Sequence, residues 1–154
     1  MDRLEKYVVI FIRVYLGAFN LASGLNFFIL VWPQPVPADP SGAAYMHVTL
    51  HMGLFQLAKV LELVGGLCLT FDVFVPFALV LLFPVSVTVL IMDLFFSPLI
   101  HVQISGARNF VFHALLLAAY ARFYYPLFRM RAPLQPLWRH WRELPGQFRQ
   151  GGGA

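Results

Sequence analysis

The segment from Tyr7 to Trp32 carries a single charged residue, Arg13. A bilayer's hydrocarbon core needs roughly 20 apolar residues in a helix, and this run exceeds that length. Three further runs, near Met46–Thr70, Val75–Phe96 and Asn109–Phe128, have the same character. An apolar stretch of that length has few homes other than a membrane. Composition supports this: 60% of the 154 residues are hydrophobic and 12% are charged, against about 25% charged in an ordinary soluble domain. The expected fold class is therefore all-α, an integral membrane four-helix bundle.

The breaks between runs are marked in the chain. "PQPVPADPSG" at 33–42 is too rich in proline to stay helical. "FDVF" is a tight link after the second run, and "SPLIHVQISGAR" at 97–108 reads as the connector between the third and fourth. No internal repeat is visible. The expected organisation is a four-span domain over 1–128 followed by a basic, aromatic tail over 129–154.

Orientation follows from the cations flanking the spans. Arg3 and Lys6 precede the first; Arg129, Arg131, Arg139, Arg142 and Arg149 follow the fourth. The 33–45 loop has no Lys or Arg, and the 97–108 connector has only Arg108. Four spans return the chain to its starting side, so both termini are expected in the cytoplasm. The net charge of +4 is then a topology signal, and no nucleic-acid partner is expected. The tail "LWRHWRELPGQF" suits the headgroup region, with Trp138, Trp141 and Phe148 inserted and the arginines near anionic lipid. Docking of this tail on a partner subunit is the alternative. The first run continues past the length of a signal-peptide core, and no small-residue cleavage site follows it.

Cys68 is the only cysteine, so intrachain disulfides and CxxC chemistry are excluded. Chemistry must come from polar residues inside the spans. At 1.5 Å per residue, Arg13 falls about 9 Å and Glu62 about 6 Å to the cytoplasmic side of their span midpoints, with Lys59 near the midplane. Intramembrane charges are costly unless paired. The expected result is an interior ionic cluster of Arg13, Lys59 and Glu62, with Arg122 as a fourth member or a snorkelling cation.

A second polar layer consists of Asn26, His51, Asp93 and His113, each about 7–11 Å to the exterior side. It is read as a candidate cofactor-binding or proton-active site, with structural glue between helices as the competing role. His47 and His51 have the i, i+4 spacing that can hold a metal, and His51 with His113 could ligate a haem. No further motif supports either, so no metal, no haem and no catalytic residue is assigned. Gly17, Gly24, Gly65 and Gly66 are read as close helix contacts, and Pro84 as a kink.

"IRVYLGAFNLASGLNFF", "FQLAKVLELVGGLCLTF" and "PFALVLLFPVSVTVLIMDLFFSP" together resemble the DoxX/DoxD-like family of small four-helix bacterial membrane proteins. Arg13, Gly17, Gly24, Glu62, Gly65 and Gly66 carry the likeness; Asn26 and Asp93 stand near places where the family often has a basic residue and a histidine. The resemblance implies a bacterial inner-membrane protein. It would be an accessory or structural subunit of a larger respiratory or photosynthetic electron-transport complex, bordering a quinone or lipid site and without an activity of its own. A quinone-reactive oxidoreductase subunit with a proton-active exterior site is the alternative, and a small transporter a third.

Overall fold

Each helix boundary has a local cause. The computed structural model describes residues 3–33, 37 and 39–125, and 86% of these are helical, with no strand among them. The first helix, α1, spans Arg3–Ile29. It stops where Leu30 takes a left-handed φ of 53°. Asn26 secures the exit: its amide donates to the Trp32 carbonyl at 3.0 Å and its oxygen accepts from the Trp32 N–H at 2.8 Å. Asp39 then caps α2 (Pro40–His51) by accepting from the Ser41 N–H at 2.7 Å, with Pro40 in the first turn, where a missing N–H costs nothing.

The second apolar run is not one helix. Gly53 adopts a φ of 77°, and α2 meets α3 (Leu54–Thr70) at 81°. Left-handed backbone is cheap only for glycine, so this residue permits the corner. Gln56 stabilises it by donating to the Leu50 carbonyl at 3.0 Å. The expected continuous span over 46–70 is thus corrected to a broken one. The hydropathy of the run was read properly, but a lone glycine inside a helical pattern did not mark the break.

Asp72 (φ 61°) and Phe74 (φ 51°) shape the turn into α4, Val75–Phe95. Pro76 sits in the first turn, while Pro84 lies within α4 and the helix continues through it. Thr88 donates to the Pro84 carbonyl at 3.0 Å. The next long helix, α5, covers Ile100–Ala119 and is followed by the short α6, Ala121–Tyr124. Most of the expected 97–108 connector is therefore helix. Only Ser97 and Pro98 break the chain strongly there; the rest is polar but helix-compatible. The expected tail lies outside the described residues.

The helix α1 packs on α3 and α5, and α4 packs on α3 and α5. Glycine governs the α1–α3 contact. A Cβ on Gly66 would lie 2.8 Å from the Gly17 carbonyl oxygen, and one on Gly17 would lie 2.8 Å from the Thr70 nitrogen. These are backbone atoms and cannot yield. The buried apolar core gathers at one end: Ile12, Leu16, Leu69, Val75, Ala78, Leu79, Leu82 and Leu116.

Large apolar side chains dominate the outside, including Tyr7, Phe11, Phe28, Phe71, Phe77 and Phe95. So much exposed apolar surface has a solvent other than water. Among the described residues two helices, α1 and α4, are long and apolar enough to cross a membrane, and a third crossing exists if bent α2–α3 counts as one. The helix α5 is long enough but carries His101, Gln103, Arg108, Asn109 and His113.

Candidate functional site: a cavity between the helices

Lys59 and Glu62, one turn apart on α3, form a buried ion pair. The Lys59 ammonium donates to both Glu62 oxygens, at 3.0 and 2.8 Å, and to the Ser23 hydroxyl of α1 at 2.9 Å. It also lies 5.3 Å from the Phe55 ring centre. An ammonium has three protons to donate, and all three are placed. With side-chain exposures of 9% and 4%, neither charge tolerates the loss of the other.

Arg13 does not complete this cluster. It is buried, and its guanidinium pairs with Asp72 in the α3–α4 turn. The reason is register. Gly17 of α1 lies against Gly66 and Thr70, and Gly24 lies against Leu63 and Lys59. Continuing that antiparallel register four residues beyond Gly17 brings Arg13 to the end of α3. The expected depth match with Glu62 assumed an unbroken span centred on Ala58, and the corner at Gly53 moves the centre of the straight helix toward Glu62. Arg122 is likewise separate: it is exposed on α6, with its guanidinium 4.7 Å from the Phe123 ring centre.

The exterior layer also divides. Asn26 is occupied by the Trp32 backbone, as described above. His51 is exposed and stacks on His47, ring centres 5.6 Å apart. His113 is fully buried and cross-links two helices: its Nε2 meets the Leu79 carbonyl at 2.9 Å and its Nδ1 meets the Ser86 hydroxyl. A carbonyl only accepts, so Nε2 carries the proton, and Nδ1 of the neutral ring accepts from Ser86. Both nitrogens are committed. Asp93 is half-buried against Gly106, where a Cβ would lie 2.7 Å from its Oδ2. The four residues expected as one site therefore do four separate things, and His51 is not near His113 in any haem-like pairing.

Some of them nonetheless border one space. A cavity of about 670 Å³ lies between α1, α2, α3, α4 and α5, within the range of small-molecule sites. Phe19, Met46, Phe55, Met92, Phe96 and Phe110 contribute apolar wall, while Asn20, Ser23, Asn26, Lys59, Glu62, Asp93 and Asn109 contribute polar atoms. The corner at Gly53 helps to make it. With α2 turned away from α3, residues Tyr45, Met46 and Thr49 close one side instead of extending a span.

Sequence reasoning missed Asn109. Its side chain is 7% exposed, and neither its amide nitrogen nor its oxygen has a hydrogen-bond partner among the described residues. A signal was available: Gly106, Asn109, His113 and Leu116, the buried residues of α5, recur at helical spacing on one face. Among the described residues no three His, Cys, Asp or Glu side chains converge as a metal site would need.

The fold and cavity define a class, an all-helical chain with membrane-compatible surfaces around an internal, mostly apolar space. No family model, no curated protein and no solved structure matches it.

Proposed function

We propose that this chain is a DoxX-like integral membrane protein that holds a quinone- or lipid-like amphiphile between its helices, as an accessory subunit of an electron-transport complex. The cavity is the observation that carries the reading. Its volume suits a ring with part of a tail, its walls are largely apolar, and its polar groups are few. The same reading makes the four long helices a membrane bundle in the bacterial inner membrane, with both termini cytoplasmic under the distribution of arginine and lysine.

An accessory role fits better than catalysis. Lys59 and Glu62 are saturated by each other and Ser23, and His113 is held at both nitrogens. Groups so engaged position helices and do not readily shuttle protons. The alternative, a quinone-reactive subunit, rests on Asp93 alone, the titratable side chain of the expected exterior layer that borders the cavity.

Gentle extraction from native membranes followed by native mass spectrometry tests the proposal. The expected result is an apolar small molecule retained by the wild-type chain and lost in Ala58→Phe, which fills the cavity wall. Redox subunits should accompany the chain. Recovery of a free chain with an empty cavity under these conditions overturns the reading.

A further inference from the structure

The charged groups around the cavity are unevenly committed, and that selects a ligand. The charged donor and several hydroxyls are taken. All three protons of Lys59 go to Glu62 and Ser23. Thr49 donates to the Tyr45 carbonyl at 2.8 Å and Thr88 to the Pro84 carbonyl at 3.0 Å, both within their own helices. Ser86 serves His113, and the Asn26 amide serves Trp32. Asn20 gives an amide proton to the Leu16 carbonyl at 2.8 Å.

Several acceptors are not taken. Asp93 borders the cavity, and no protein donor among the described residues reaches its carboxylate. The Asn20 oxygen and the remaining lone pairs of Thr49 and Thr88 are open in the same way. Neutral donors also remain, namely the Ser23 hydroxyl, the Asn109 amide and the second amide protons of Asn20 and Asn26, and the Asn109 oxygen is itself a further unpartnered acceptor. Trp32 and Tyr45 stand at the more exposed edge, 48% and 44% accessible.

We infer that the cavity selects apolar molecules whose polar end donates hydrogen bonds, a hydroxylated ring or chain, with the Asp93 carboxylate as the principal acceptor. The inference rests on the proposed function, because it assumes that an amphiphile enters. It adds a direction. A ring bearing hydroxyls gives the Asp93 carboxylate the donor it lacks, whereas the same ring bearing only carbonyls can reach the neutral donors but leaves that carboxylate unmet. A buried acceptor left without a donor forfeits its hydration with no return.

The test uses a short-tailed hydroquinone and its oxidised quinone, titrated separately into the purified full chain in detergent. Oxygen is excluded, and mildly alkaline buffer keeps carboxyls ionised. Calorimetry should show the reduced form binding about tenfold more tightly, the scale of one charge-assisted hydrogen bond. In Asp93→Asn the advantage should shrink to about threefold or less, with the oxidised form unaffected. Equal binding of the two forms, or tighter binding of the quinone, overturns the inference and leaves the cavity reading intact.

A medium-chain monoacylglycerol forms a third arm. If it competes with hydroquinone, the same acceptors read lipid hydroxyls; if hydroquinone alone binds, they read a ring. Both outcomes support donor selection. Binding in none of the arms overturns the proposed function as well. The wild-type ratio needs no variant, so poor folding of Asp93→Asn does not remove the test.

Discussion

The two ends of this molecule are built from similar helices and differ in how they are filled. At one end Leu69, Leu79, Leu82 and Leu116 are at most 1% exposed and pack against Ile12, Leu16, Val75 and Ala78. At the other, the same helices surround a cavity of about 670 Å³. Each end also has an ion pair. Lys59–Glu62 beside the cavity is buried on both partners, while Arg13–Asp72 joins a buried arginine to a 63% exposed aspartate. The packed end achieves rigidity through apolar contact and leaves its ion pair at the edge. The hollow end has little such contact to spare, and there the Lys59–Glu62 pair with Ser23 ties α1 to α3.

The strongest way to break this comparison is at Glu62. Glu62→Ala leaves the Lys59 ammonium buried with only Ser23, and unpaired buried charges cost about 3–5 kcal/mol. Thermal unfolding in detergent should show a large loss and reduced folded yield. Lys59→Met combined with Glu62→Leu should recover most of it, since replacing a buried pair by apolar residues is often neutral. If the single variant stays as stable as wild type, the pair does not hold the hollow end.

Leu79→Ala probes the packed end. Leu79 is wholly buried, and truncation of such a residue costs about 2–5 kcal/mol. Next is the seam between α1 and α3. Gly66→Ala forces a Cβ against the Gly17 oxygen and the Leu21 nitrogen, whereas Gly65→Ala meets the Leu82 side chain. Overpacking costs about 1–3 kcal/mol, and the backbone clash should fall at the upper end. Equal melting temperatures for the two variants would show that the seam can open.

How far these features were readable from the chain depended on whether they were local. The helical class, the membrane-compatible surface of α1 and α4, and the small residues between helices all follow from hydropathy and glycine spacing. The pairing of Lys59 with Glu62 is one turn of a single helix, so spacing alone exposes it. What failed needed long-range register. Arg13 reaches Asp72 because the corner at Gly53 sets where α3 begins, and one glycine in an apolar run gives no warning of an 81° turn. His113 was open to two readings, a site residue or glue between helices, and depth could not choose between them, since it says nothing of whether Ser86 and the Leu79 carbonyl hold both nitrogens. Asn109 was passed over as the first residue of a span because α5 in fact begins at Ile100.

The smallest expected effect is also the sharpest for the contrast between the ends. Met92 is half-buried on the cavity wall, so Met92→Ala enlarges an existing space and strands few neighbours. The cost of truncation grows with the packing lost, and here it should stay under about 1 kcal/mol, well below that of Leu79→Ala. Ligand binding should respond in the opposite proportion. Removing the Met92 side chain strips apolar wall from the cavity and should weaken the hydroquinone by several-fold, while Leu79→Ala, which is not part of the lining, should leave affinity near wild type in the folded fraction. A Met92→Ala protein as destabilised as Leu79→Ala would mean that the hollow end is packed after all, and that its cavity is not a place a ligand occupies.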